Sequence, residues 1–133
     1  MQTDQIWANL AVADTKRTEA FYTALGFTPN CDTTPVLTSF LFGKNNFVIH
    51  FFIKKQLEFA MNGKTTDLQH SNEVIFSLSA KSEAEVDAWA AKVAEAGGTI
   101  VTEAGRQSDG YYYCVFADPD GHKFNVLCVE PGM

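Results

Sequence analysis

His50 and Glu73 are the two side chains whose types could do chemistry on strands that are otherwise apolar. Around His50 the run Phe47 to Ile53 puts Val48, His50 and Phe52 on one face. In the alternating run Glu73 to Ala80, Glu73 shares a face with Ile75 and Ser77. A carboxylate on an inward strand face is costly to bury unless something pairs with it, and His50 is the expected partner. Such a pair is suited to general acid and base work beside a carbonyl. His50 by itself also reads as a hydrogen-bonded core histidine, whereas His70 and His122, in a polar connector and a turn, are expected at the surface.

Two further strands complete the candidate site. Ile6 to Val12 alternates so that Trp7, Asn9 and Ala11 share a face, and Lys123, Asn125 and Leu127 share one on the last strand. Asp118-Pro119-Asp120-Gly121 is a turn signal, since proline presets φ, Asp118 can accept forward hydrogen bonds and glycine takes a left-handed conformation. Read as a three-residue loop with a glycine bulge, it sets Val115 opposite Asn125 and Tyr113 opposite Leu127. Trp7, Asn9, Phe52, Tyr111, Tyr113, Asn125 and Leu127 are therefore the expected ligand-lining set, with aromatic rings as stacking surfaces.

The elements that must position these residues follow from punctuation. Asp14 is an N-cap for an amphipathic helix from Thr15 to Leu25 that Gly26 ends, and Pro29 confines Phe27 to Asp32 to an edge strand. Gly43-Lys44-Asn45-Asn46 turns a hairpin between Val36–Phe42 and Phe47–Ile53. Residues 54–72 read as a connector with a helical turn or two near Leu57. Ser82-x-x-Glu85 is a capping box for a second helix that stops at Gly97-Gly98, before a strand from Thr99 to Glu103 and the final hairpin. Both halves thus read strand, helix, short strand, hairpin. The expectation is one α+β domain over residues 1–133, made of βαβββ modules at 4–53 and 73–130. Each sheet would bury its helix on an outer face, and the opposite faces would enclose a cup.

Composition bounds the function. The 133 residues are 46% hydrophobic, enough for one core, and 16 acidic against 10 basic residues give a net charge of -6. That balance argues against nucleic acid or an anionic membrane as partner. With no basic, apolar leader and no membrane-length apolar run, a cytoplasmic protein is expected. Cys31, Cys114 and Cys128 are odd in number and lack C-x-x-C spacing, so thiols are expected, the last two under the second helix.

Asn9-Leu10-Ala11-Val12-Ala13-Asp14, Phe21-Tyr22-Thr23-Ala24-Leu25-Gly26-Phe27 and Phe116-Ala117-Asp118-Pro119-Asp120-Gly121-His122 resemble the vicinal oxygen chelate superfamily. It includes glyoxalase I, bleomycin-resistance proteins, fosfomycin-resistance transferases and extradiol dioxygenases. The stretch Glu73 to Ala80 followed by Ser82 to Val86 is similar to a bacterial subgroup called predicted lactoylglutathione lyase. The resemblance implies four metal-ligand places, on the first and last strand of each module, which here are Trp7, His50, Glu73 and Asn125. Glyoxalase I-like members carry His or Gln, Glu, His and Glu there; the dioxygenases carry His on both first strands and Glu on the last. Trp7 has no lone pair to give and Asn125 is a neutral amide, which leaves two good donors where a catalytic metal keeps three.

Two functions follow as expectations. One is a metal-free binding module, without a cofactor, whose cup holds a planar or amphipathic small molecule as bleomycin-resistance proteins do. The other is a lactoylglutathione lyase-like or dioxygenase-like enzyme using His50 and Glu73, with a divalent metal as its possible cofactor. A homodimer is expected as well, because both modules expose strand edges and Phe27, Phe40 and Phe42 exceed what one helix can cover.

Overall fold

Asp14 accepts from the backbone N–H groups of Lys16 and Arg17 and starts α1 (Thr15–Ala24) just after β1 (Ala8–Val12), which is shorter than the expected strand by two residues. The computed structural model describes residues 1–131 and divides into two units, Met1–Thr66 and the residues from Asp67 onward. In the first unit β2 (Thr28–Pro29), β3 (Leu37–Phe42) and β4 (Phe47–Ile53) follow α1, and α2 (Lys54–Met61) gives the connector two full turns. The sheet order is β1-β4-β3-β2, with β1 parallel to β4 and the other pairs antiparallel.

The second unit repeats the plan with β5 (Ile75–Ala80), α3 (Glu83–Ala96), β6 (Thr99–Arg106), β7 (Tyr112–Ala117) and β8 (Lys123–Cys128), ordered β5-β8-β7-β6. Ser82 accepts from Glu85 N–H, and the Glu85 carboxylate accepts from Lys81 N–H, so the expected capping box forms one residue displaced on its return leg. Two βαβββ modules make an α+β fold. β6 runs to Arg106, past the expected end at Glu103, because register shifts beyond Ile100 and Thr102 let it follow β7 to Tyr112.

Each unit has its own core. In the first, Tyr22 and Phe21 on α1 pack over Phe40, Phe51 and Ile49, all essentially buried. Phe42 is buried too, and the half-buried Phe27 lies tilted beside it at 4.5 Å, so these rings belong to the core of the first unit and are not surplus exposed surface. The apolar side chains left exposed are others, among them Ile6, Val74, Ile75 and Val101. In the second unit Val86 and Val93 of α3 meet Phe116, Phe124, Val126 and Cys114. Cys114 is buried and burial pushes its thiol pKa up; Cys128 is half-buried, Cys31 exposed, and all three are free. Among the described residues no helix is long and apolar enough to cross a membrane.

Candidate functional site

In the first unit a polar row crosses the sheet on the face turned away from α1. The four-residue turn sets Phe42 opposite Phe47, which makes Ser39 on β3 the cross-strand partner of His50, while Asn9 on β1 flanks His50 from the other side. Asn30, just beyond β2, bonds its N–H to the Ser39 carbonyl at 2.9 Å and continues the row. The side chains are joined as well: Asn30 Nδ2 donates to Ser39 Oγ at 3.1 Å, and Ser39 Oγ lies 2.7 Å from His50 Nδ1. Trp7, half-exposed, sets its ring edge-on to His50 with centroids 6.3 Å apart, and Phe52 approaches the imidazole at 5.8 Å. His50 and Trp7 line a cavity of about 600 Å³ together with Asp4, Gln5, Ile6, Asn30, Asn45, Asn46, Phe47 and Val48. That size suits a small organic ligand.

Burial holds the His50 pKa below 6.5, so the imidazole is neutral at pH 7. Glu73 precedes β5, is exposed, and makes no hydrogen bond or ion pair within the described residues. Within the first unit the strand register supplies His50 with the Ser39 hydroxyl as its hydrogen-bond partner. Asn9 and Phe52 share the sheet face with His50 without lining this cavity.

In the second unit the hairpin register is the expected one: Val115 faces Asn125 and Tyr113 faces Leu127, with Ser77 beside Asn125 on β5. Asn125 Oδ1 is buried and has no hydrogen-bond partner among the described residues. An orphaned acceptor of this kind costs about 1–3 kcal/mol, and a ligand donor at this face would recover it. Tyr113 donates its hydroxyl to Asp109 at 3.0 Å, which raises its pKa, and Tyr111 lies before β7, largely exposed. Tyr112 points to the helix side and donates to Asp87 at 2.6 Å, which pushes its pKa up to about 12.

His122 overturns a sequence expectation. It is buried, with Nδ1 2.8 Å from Asp118 Oδ2, and Leu68 lies against the adjoining Gly121. His70, bonded to Asp67, is exposed as expected. Ser39 and Asn30 are the site residues the sequence reading missed. The hairpin register that places Ser39 was the signal that could have found it.

Residues 5–126 match the Glyoxalase/Bleomycin resistance protein/Dioxygenase superfamily. The chain belongs to that superfamily. A search of curated proteins gives no match. A solved hypothetical protein from S. aureus is 32% identical, with a TM-score of 0.85 over 97% of this chain and 96% of its own. A lactoylglutathione lyase from Agrobacterium tumefaciens shares the fold at 21% identity and TM-score 0.68, over 95% of this chain and 94% of that one. A bleomycin-binding protein complexed with bleomycin does so at 21% and 0.63, over 96% and 100%. No three His, Cys, Asp or Glu side chains gather among the described residues.

Proposed function

We propose that this superfamily member is a metal-free binding protein for a planar or amphipathic small molecule. The observation that carries the reading is the cavity of the first unit, where the Trp7 ring and a neutral, hydrogen-bonded His50 stand side by side. An aromatic wall with a few convergent polar groups is what such ligands need. On the second unit Asn125 offers its buried acceptor, and Tyr113 and Leu127 share that face.

The competing reading is a lactoylglutathione lyase-like or dioxygenase-like enzyme with His50 and Glu73 as acid and base. The exposed Glu73, without a bond to orient it, argues against that role. The two readings separate in one experiment. Protein purified without chelator should carry far less than one transition metal per chain and should not turn over the hemithioacetal of glutathione and methylglyoxal above background. Stoichiometric metal that survives dialysis and is lost in His50→Ala, together with turnover, would replace the binding reading with the enzyme.

We also propose a homodimer, supported by the exposed apolar residues Val74, Ile75 and Val101 on the second unit. Sedimentation at micromolar concentration should give twice the chain mass. A single monomer boundary would remove the proposal.

A further inference from the structure

We propose that Ser39 and Asn30 are positioning residues that fix His50 as the Nε2–H tautomer, so that the cavity of the first unit offers a hydrogen-bond donor to a carbonyl, carboxylate or phosphoryl oxygen. The inference rests on the binding role proposed above and deepens it by naming the chemistry of the ligand atom.

Ser39 is completely buried, and its hydroxyl has a single hydrogen that needs an acceptor. Its two side-chain neighbours are Asn30 Nδ2, which only donates, and His50 Nδ1. Among the described residues Ser39 makes no other side-chain bond. The hydroxyl therefore receives from Asn30 and donates to Nδ1. An imidazole kept neutral by burial carries one hydrogen, which is then on Nε2. Nε2 has no partner within the described residues. The reverse tautomer would leave the buried hydroxyl hydrogen without an acceptor, a bias of about tenfold.

Asn30 makes the inference testable because it is exposed and can be changed without disturbing the core. Asn30→Asp replaces the donating amide with an acceptor. The Ser39 hydroxyl then turns to the new carboxylate and accepts from His50 Nδ1–H, and the tautomer inverts. Ser39→Ala removes the bias altogether. The experiment is a long-range 1H–15N correlation spectrum of chelator-treated, 15N-histidine-labelled protein above the His50 titration, with His50 assigned by its loss in His50→Gln. The expected result is Nε2–H in the native chain, Nδ1–H in Asn30→Asp and a mixture in Ser39→Ala. Nδ1–H in the native chain would overturn the proposal. So would Nε2–H unchanged in either variant, since the tautomer would then not be set by this relay. The measurement uses no metal or ligand, so its outcome is independent of the metal content that tests the binding reading.

Discussion

Asp118→Ala is expected to destabilise the second unit by about 3–5 kcal/mol, because one fully buried carboxylate holds the whole turn. Its Oδ1 accepts from the N–H groups of Asp120, Gly121 and His122 at 3.0, 3.0 and 2.9 Å, and its Oδ2 accepts from His122 Nδ1 at 2.8 Å. Alanine leaves these donors buried without it. Asp118→Asn, which keeps an oxygen for the backbone cradle and loses the imidazole bond, should fall between the two. Chemical denaturation followed by Trp89 on α3, in a Trp7→Phe background, reads this unit. A loss under about 1 kcal/mol in Asp118→Ala would show that the turn is held by its backbone alone. The turn also fixes the pairing of β7 with β8, so Asn125 and Tyr113 depend on it for their common face.

Tyr22→Ala should cost the first unit about 3–5 kcal/mol, a large part of the roughly 5–15 kcal/mol that holds a domain. Tyr22 is completely buried and its ring touches five others: Phe51 stacked at 4.8 Å, Phe21 edge-on at 5.0 Å, and Phe42, Phe40 and Phe27 at 5.6, 5.7 and 6.1 Å. No flexible neighbour can fill the space, since these rings come from α1, the loop after it, β3 and β4. The Trp7 signal, read in Trp89→Phe, should shift its denaturation midpoint accordingly. A change under about 1 kcal/mol would mean that the ring cluster collapses onto the void.

Much of the scaffold was legible because its signals are local. Asp14, Ser82 and the glycine stops mark helix ends through bonds to atoms a few residues away, and the Asp118 turn fixed the partner of Asn125 correctly. The site was legible only in part. Alternation assigns His50 to a face, but its Ser39 partner depends on the register of the neighbouring strand. Glu73 was read into a strand by alternation, yet β5 begins at Ile75, where pairing with Lys123 begins. His122 reads as a surface turn residue because nothing in the turn itself announces that its imidazole is buried, with Leu68, far away in sequence, against the adjoining Gly121.

The parallel edge strand of each sheet bears on how the chain acquires its structure. β1 pairs with β4, Ala8 against Ile49, and β5 with β8, Ile75 against Lys123, so each module's first strand finds its place only after its last has been made. The antiparallel hairpins have short loops to close and form early, whereas these parallel pairs require closure across an entire module. Emerging from a ribosome, the first module can complete its sheet while the second is still being synthesised, and β5 waits as an unpaired, apolar edge until Cys128 has appeared. In that interval β5 is open to pairing with another molecule.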